Sequence, residues 1–311
     1  MSARPSGDPT PAEGPGSGGT LAALVASARP AQWVKNLVVA LPFLFGAALD
    51  TPRGWWLAAA GVLVFCAVTS GLYIVNDVMD RERDRAHPDK RHRPLASGRL
   101  SVPTALAAAL ALEAIGLTLA FALRADFGRW CAIYAALMLA YSMVLKRIPF
   151  LEALIVAAGM PLRALAGAAL AGVWPSPFLM SCAYLLALFL VVGKRQWEFH
   201  NSGRRTSSEH RPALSAYRAE GLDYLFIVTA MTTVAAYAAY SVAPETQARY
   251  GGRSLAITVP FVVLGIARYV RLVYRRGGGG SPTRALLTDD PWLLAIVIGW
   301  VGTAGWIIYG H

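Results

Sequence analysis

The sequence predicts an all-α, polytopic membrane protein with about nine transmembrane helices. Its residues are 56% hydrophobic and only 15% charged, whereas about a quarter of the residues of a typical soluble chain are charged. The apolar residues also collect into runs close to the ~20 residues that a helix needs to cross a bilayer. These nine runs span residues 31–49, 55–76, 102–123, 130–145, 151–173, 176–192, 222–243, 254–274 and 291–309.

The segments outside and between these runs suggest the domain organisation. Residues 1–28 are rich in Gly, Pro, Ser and Ala and lack the apolar core of a signal peptide. We expect them to form a disordered N-terminal tail, followed by one transmembrane domain over residues 29–311. Cys66, Cys131 and Cys182 fall inside apolar runs without the spacing of metal ligands, which predicts three buried thiols.

The placement of basic residues predicts the orientation in the membrane. Most Lys and Arg residues lie in the connections after the second, fourth, sixth and eighth runs, and the other connections hold few. The positive-inside rule therefore places the N-terminus in the cytoplasm and the C-terminus outside. The net charge of +11 is concentrated on the cytoplasmic face, where it also suits a polyanionic ligand.

An acidic motif, NDVMDRERD, stands where the second run ends at the cytoplasmic face. In a continuing helix Asn76, Asp80 and Asp84 recur at i, i+4 and i+8, so they share one face, and Asp77 leans toward it. Like charges at this spacing repel unless a cation lies between them. A hard divalent ion such as Mg²⁺ takes oxygen ligands and joins carboxylates to substrate phosphates. We call these four residues the acidic stripe and predict that they bind Mg²⁺; the alternative is a solvated helix whose acids pair with neighbouring arginines.

Basic and polar residues gather around the same membrane face. Planar guanidinium groups bind phosphate oxygens in pairs, and lysine adds a compact positive charge. An arginine deep in a membrane helix also needs a partner, which a substrate phosphate or a cleft acid would supply. The predicted substrate-binding residues are Lys35, Asn36, Lys90, Arg91, Arg93, Tyr141, Lys146, Arg163, Lys194, Arg195 and Glu198.

These motifs resemble those of the UbiA-type intramembrane prenyltransferase superfamily. NDVMDRERD at 76–84 fits its NDxxDxxxD signature, and RPAQWVKN at 29–36, YSMVLK at 141–146 and GKRQWE at 193–198 point to its decaprenyl-phosphate phosphoribosyltransferase branch. The resemblance covers about residues 29–309. It implies a nine-helix fold around a cytoplasm-facing cleft in the bacterial cell membrane, and therefore assigns residues 29–311 to one catalytic domain.

The resemblance also implies an activity and its site. The substrates would be phosphoribosyl pyrophosphate and a polyprenyl (decaprenyl) phosphate, and the product would serve cell-wall arabinan synthesis. Asp77, Asp80 and Asp84 would be catalytic, binding Mg²⁺ and the diphosphate together with Asn76. The side chains expected to line the phosphate sites are Lys35, Arg93, Tyr141, Lys146, Lys194 and Arg195. The expected partners are these substrates and the lipid bilayer, not nucleic acid; homo-oligomerisation is left open.

One departure from the superfamily separates two enzymatic alternatives. Prenyl-transferring relatives carry a second aspartate-rich motif near the end of the sixth run, where this chain has Lys194, Arg195 and Glu198. Cations there suit a donor with an additional phosphate, which favours a phosphoribosyl donor. The alternative enzyme moves a prenyl group from its diphosphate to an aromatic or haem acceptor. A transporter is the third hypothesis, and it predicts acidic residues at mid-membrane. The acids of this sequence cluster at the cytoplasmic end instead, and Glu113 is the main exception.

Overall fold

The structure, a computed structural model, describes residues 17–309 apart from residues 47, 89, 149, 175, 203–218 and 276–281. Its regular elements are helices, connected mostly by short turns. The longer ones are α1 Ser17–Ala28, a 3₁₀ helix Pro30–Ala40, α2 Leu41–Phe45, α3 Pro52–Met79, α4 Arg81–Ala86, α5 Val102–Leu123, α6 Ala125–Met143, α7 Leu151–Ala171, α8 Pro177–Ser202, α9 Ala219–Val242, α10 Pro244–Arg249, α11 Val259–Tyr274 and α12 Pro291–Tyr309. Short helical turns lie at Leu145–Arg147, Leu255–Thr258, Pro282–Arg284 and Ala285–Asp289.

The predicted class is confirmed, and nine is an approximate count of the membrane passes. Seven of the described helical segments are long and apolar enough to cross a membrane: α3, α5, α7, α8, α9, α12, and α11 together with the 3₁₀ turn Leu255–Thr258 before it. The first predicted run folds as the 3₁₀ helix and the short α2, which ends at Phe45. The fourth run lies in α6, whose first turns carry Asp126 and Arg129 and so lower its hydropathy.

The end of the predicted disordered tail is helical, which corrects the sequence-based expectation for residues 17–28. This stretch, SGGTLAALVASA, forms α1 because Ala and Leu favour helix once one face can be buried. Ala23 packs into a cluster with Ile74 and Leu95, so α1 lies against α3 and the loop after α4. Residues 1–16 of the predicted tail lie outside the described residues.

The bundle is organised around α3, which packs on α5, α6, α7 and the 3₁₀ helix. Thr51 caps its first turn by accepting a hydrogen bond from the Gly54 amide at 3.1 Å, next to Pro52 at the first helical position. Phe65 is fully buried and tilts against Tyr134 of α6. The last four passes form a second half around the stacked rings of Phe189 and Phe226.

The three cysteines are buried and free, as predicted. Cys66 and Cys131 lie in the α3 half and Cys182 in the α8 half. They act as small apolar side chains in the packing between helices.

Candidate active site

The acidic stripe lies where α3 gives way to α4. The helical hydrogen bonds continue across this junction, from the Asp80 amide to the Asn76 carbonyl (3.0 Å) and from the Asp84 amide to the Asp80 carbonyl (2.8 Å). Asp80 itself departs from helical geometry (φ −95°, ψ 3°) and joins the two helices. The four side chains form two pairs instead of the single predicted row: Asn76 with Asp80, and Asp77 with Asp84.

Lys146 holds the first pair. Its Nζ lies 2.7 Å from Asp80 Oδ1 and 3.5 Å from Asn76 Oδ1. The lysine follows α6 in a short 3₁₀ turn, Leu145–Arg147, that brings it across to the end of α3. The predicted grouping of Lys146 with the acidic stripe is thus seen in the fold.

Arg93 holds the second pair. One nitrogen of its guanidinium group lies 3.1 Å from Asp77 Oδ1 and 2.7 Å from Asp84 Oδ2. Asp77 is 3% exposed and also receives an ion pair from Arg29. Burial of a carboxylate is costly unless it is paired, and these two arginines supply the pairing.

The loop after α4 is fixed so that Arg93 points at the acids. Arg81 Nε donates to the Leu95 carbonyl at 3.3 Å, and Arg85 Nε donates to the Ala96 carbonyl at 3.1 Å. The side chains of Leu95 and Leu100 are buried beneath the loop. The arginines within the acidic motif therefore position the loop instead of neutralising the stripe, except Arg83, which lies 3.5 Å from Asp80.

Three lysines converge beside the stripe, and we call Lys35, Lys90 and Lys194 the lysine cluster. The charges of Lys35 and Lys90 both act on Lys194. Within the described residues neither Lys35 nor Lys90 donates to a carboxylate, and Lys194 reaches Glu198 only at 3.9 Å. Burial lowers the pKa of the Lys90 ammonium from its usual value, although the Asp84 charge opposes this change. Such mutual repulsion is relieved when an anion binds.

Arg195 lies in a buried ion pair, and the expectation that it lines a phosphate site stays a prediction. Its Nε and a terminal nitrogen lie 2.6 and 2.8 Å from the two oxygens of Glu152, which is 1% exposed. A third nitrogen lies 2.9 Å from Glu198 Oε2. The first turn of α7 brings Glu152 into this position, and no spacing within the sequence indicates that contact.

Arg163 and Asn36 belong to a buried network between helices in which the partners of the guanidinium group are uncharged. Arg163 donates to Asn36 Oδ1 (3.0 Å), to the Tyr134 hydroxyl (2.5 Å) and to the Gly159 carbonyl (2.7 Å). Asn36 in turn donates to Thr69 at 3.0 Å. These uncharged partners accept from three of its nitrogens, and the cleft acid or phosphate expected for Arg163 stays a prediction.

Two other predicted residues differ in how near they lie to the stripe. Tyr141 is close to it, since the charges of Asp80, Glu152, Arg195 and Glu198 all act on its hydroxyl. Arg91 is exposed and donates to His92 at 3.3 Å. The sequence reasoning missed Arg29 and Glu152, although Arg29 opens the quoted motif RPAQWVKN.

The oxygen-donor chemistry of the stripe fits a divalent metal ion. Asn76 and Asp80 share one cationic nitrogen and Asp77 and Asp84 share another, so each pair already presents two oxygens to one positive centre. Within the part of the chain that the structure describes, no three His, Cys, Asp or Glu side chains converge as a metal-binding group. The acids meet Lys146 and Arg93 instead, and a hard cation would take over these oxygen pairs.

Comparison with known proteins supports the sequence motifs. Residues 37–289 match the UbiA prenyltransferase family. A decaprenyl-phosphate phosphoribosyltransferase from Corynebacterium glutamicum is 35% identical over 285 residues, which cover 89% of this chain and 84% of the relative. Proteins of the same name from Mycolicibacterium smegmatis and Mycobacterium tuberculosis are 31% and 30% identical, covering 92% of this chain and 92% and 94% of their own lengths.

Solved structures support the same fold. A UbiA homolog from Archaeoglobus fulgidus bound to GPP and Mg²⁺ superposes with a TM-score of 0.69 at 18% identity, covering 92% of this chain and 99% of that one. The same homolog bound to DMAPP and Mg²⁺ gives a TM-score of 0.68 at 19% identity, covering 92% and 98%. At this identity the likeness concerns the fold alone.

Proposed function

This chain belongs to the UbiA prenyltransferase family, and on that basis we propose that it transfers 5-phosphoribosyl from phosphoribosyl pyrophosphate to a polyprenyl phosphate, releasing pyrophosphate. The relatives that match most of its length are named decaprenyl-phosphate phosphoribosyltransferases. A decaprenyl phosphate is therefore the acceptor that we infer, and the product is a lipid-linked pentose phosphate for cell-wall arabinan synthesis.

The observation that carries this proposal is the charge balance of the cleft. The three carboxylates of the acidic stripe are matched by Arg29, Arg93 and Lys146. Among the described residues, Glu198 is the one carboxylate that the lysine cluster reaches, at 3.9 Å from Lys194 Nζ. This excess of positive charge suits substrates with several phosphates, namely a pyrophosphate, a ribose 5-phosphate and a lipid phosphate.

The residues of the stripe would stabilise the pyrophosphate leaving group. When bound, Mg²⁺ held by Asn76, Asp77, Asp80 and Asp84 would neutralise the charge that develops on pyrophosphate. Lys146 and Arg93 then exchange their carboxylate partners for phosphate oxygens. The stripe therefore has two roles, because its carboxylates also pair with Lys146 and Arg93 before the donor binds.

The lysine cluster would orient the donor and the acceptor. Positive charge grows at the anomeric carbon as its bond to pyrophosphate weakens, in the manner of glycosyl transfer. A phosphate monoester is already an anionic nucleophile, so its attack requires no strong general base. Lys35 and Lys194 hold phosphate oxygens in position, which reduces the entropic cost of bringing the two substrates together.

An apolar cavity of about 360 Å³ supplies a path for the lipid tail. Phe45, Phe189 and Trp300 are among the side chains that line it. Val38 and Leu190 line it as well, and they lie about one helical turn from Lys35 and Lys194 on the same segments. A lipid phosphate at the lysine cluster would therefore have its first isoprene units in this cavity.

The proposed setting is the bacterial cell membrane, with the N-terminus and the active site on the cytoplasmic side. The seven apolar helices support a multi-pass protein. The charged connections around the acidic stripe support its cytoplasmic orientation by the positive-inside rule.

Membranes that contain the protein, incubated with radiolabelled phosphoribosyl pyrophosphate and polyprenyl phosphate, test the reaction. We expect label in the organic phase only when lipid and Mg²⁺ are both present. A parallel incubation with a labelled prenyl diphosphate and 4-hydroxybenzoate tests the prenyl-transfer alternative. Transfer in the second incubation but not in the first would contradict the proposal.

A further inference from the structure

We propose that a cavity at the end of the bundle away from the acidic stripe binds the headgroup phosphate of an anionic phospholipid. This arginine cavity has a volume of about 550 Å³, within the range of sites for small ligands. Its walls come from α2, the segment after α7, α10 with the turn that follows it, and α12, and they include Arg249, Arg253, Trp174 and Tyr250. Such binding is independent of the proposed transfer reaction, because it concerns a different ligand at a different place.

The arginine cavity is separate from the sites already described. Phe45 and Gly46 line it, and they stand just before α3, which starts at Pro52. The acidic stripe begins at Asn76, near the other end of that helix, whose 28 residues span about 40 Å. Of the described residues, Phe45 alone lines both this cavity and the apolar cavity that we assign to the lipid tail.

The turn after α10 brings two arginines to the same cavity. Gly251 and Gly252 have φ angles of 64° and 83°, a left-handed conformation that glycine adopts without strain. The Gly252 amide donates to the Gln247 carbonyl at 2.8 Å and closes the turn. The chain therefore reverses its direction after Arg249, and Arg253 returns to the cavity that Arg249 lines.

The contacts of these arginines leave donors for a phosphate. Arg253 donates to the Ile307 carbonyl at 3.0 Å, which holds its guanidinium group against the end of α12. Arg249 is exposed and makes no hydrogen bond or ion pair with any described residue, including Glu245 one turn earlier on α10. Guanidinium groups bind phosphate oxygens through paired, charge-assisted hydrogen bonds. Arg249 is therefore the side chain that we expect to contribute most to binding.

The surroundings of the cavity favour a lipid phosphate over a free one. Trp174 on its rim is 84% exposed, and Trp55 and Trp56, near the start of α3 at the same end of the bundle, are 62% and 61% exposed. Tryptophan is enriched at the level of the lipid headgroups in membrane proteins. Val173 and Ile308 add apolar lining beside the arginines, which suits the glycerol and the first methylene groups of a phospholipid.

The charge around the cavity favours an anionic headgroup over a zwitterionic one. No carboxylate among the described residues lines the cavity. Arg124 adds a further cation at this end of α7, with Nη1 3.5 Å from the Leu170 carbonyl oxygen. Asp126, which follows it, pairs with Arg129 on the surface. A choline group would bring a second positive charge into this region, whereas the glycerol headgroup of phosphatidylglycerol would not.

Photo-crosslinking tests the proposal on the full-length protein in phosphatidylcholine vesicles. The probe is phosphatidylglycerol with a diazirine close to its headgroup, added below saturation. We expect adducts on the peptides that contain Trp174 or Tyr250. Arg249→Gln should lower this labelling about tenfold, the effect of one lost charge-assisted contact. Arg249→Lys keeps the charge without the paired donors and should lower it less; unchanged labelling in folded Arg249→Gln would overturn the proposal.

Arg53→Gln is the matched control. Arg53 is exposed at the start of α3, at the same end of the bundle but outside the lining of the cavity. Its substitution removes the same charge, and salt screens exposed charges that do not touch the ligand. Labelling of the two peptides should therefore change less than about twofold, with melting temperatures confirming that each variant is folded. An equal loss of labelling in Arg53→Gln and Arg249→Gln would indicate a general effect of surface charge and contradict a defined site.

Competition separates the two sources of phosphate. The vesicles already supply phosphatidylcholine in excess, so labelling itself requires a preference for the anionic headgroup. Unlabelled phosphatidylglycerol should displace the probe, and an equal concentration of inorganic phosphate should not. Equal displacement by inorganic phosphate would overturn the lipid assignment. None of these readouts depends on phosphoribosyl transfer, so their failure leaves the proposed function standing, and an inactive wild type leaves this test unaffected.

Discussion

Asp80 joins two segments that are far apart in the chain, since its carboxylate lies 2.7 Å from Lys146 while its backbone connects α3 to α4. Asp80→Asn keeps the shape of the side chain but removes a negative charge from the stripe. We expect phosphoribosyl transfer to fall at least about 100-fold, because a direct ligand matters more than the outer-shell groups whose loss costs 10–100-fold. The rate of lipid labelling in membranes with equal amounts of each protein measures this change.

Asp126→Asn serves as the control for that substitution. Asp126 is 52% exposed in the first turn of α6 and pairs with Arg129 on the surface. Transfer by this variant should match that of the wild type. Full activity of Asp80→Asn would rule out a metal-binding role for the stripe.

Lys90 gives the site a dependence on pH. Burial lowers the pKa of its ammonium group, so it loses its charge at a lower pH than an ordinary lysine does. The contribution to donor binding that we propose for Lys90 is therefore expected at neutral pH and should be lost as pH rises through that lowered pKa. Arginine remains charged throughout this range. Between about pH 7 and 10, the KM for phosphoribosyl pyrophosphate should rise in the wild type and much less in Lys90→Arg; parallel profiles would refute this role.

The sequence predicted which residue types form the site better than it predicted their partners. Asn76, Asp80 and Lys146 meet as expected from the motifs. Arg29 and Glu152 were missed because their contacts join segments that are distant in sequence. For Arg163, the 3₁₀ helix and α6 provide uncharged partners that periodicity does not reveal.

At the scale of helices, α7 packs closely against the 3₁₀ helix that carries Lys35. A Cβ at Gly167 would lie 2.0 Å from the Val39 carbonyl oxygen, which is backbone and has little freedom to move. Gly167→Ala should therefore destabilise the protein by about 1–3 kcal/mol, the usual range for overpacking. Thermal unfolding in detergent measures the change. Gly302→Ala, in α12 with open space around the added methyl group, should unfold like the wild type; equal effects of the two would contradict this packing.

The junction of α3 and α4 shows why the arrangement of the stripe was only partly predictable. Helical spacing places Asn76, Asp80 and Asp84 in one row. Asp80 departs from helical geometry between α3 and α4, and Arg93 joins Asp84 to Asp77. A partner such as Arg93, supplied by the loop after α4, leaves no periodic signal in the sequence.

For the whole molecule, composition and run length were sufficient to predict a polytopic helical bundle, while the orientation remains a prediction. Cys66, Cys131 and Cys182 are buried, so an impermeant maleimide should react slowly with the wild type in intact cells. We expect Glu245→Cys, in the exposed start of α10, to be labelled in intact cells. Ser97→Cys, in the exposed loop after α4, should be labelled only after lysis; the reverse pattern would contradict the orientation.

The central claim is that the acidic stripe exchanges its cationic partners for a metal-bound diphosphate. An experimental structure with phosphoribosyl pyrophosphate and Mg²⁺ tests it most directly. We expect a divalent ion between the stripe and the pyrophosphate, with Lys146 Nζ displaced from its 2.7 Å contact with Asp80 onto a phosphate oxygen. A donor bound elsewhere, with the Lys146–Asp80 and Arg93–Asp84 contacts unchanged, would contradict it.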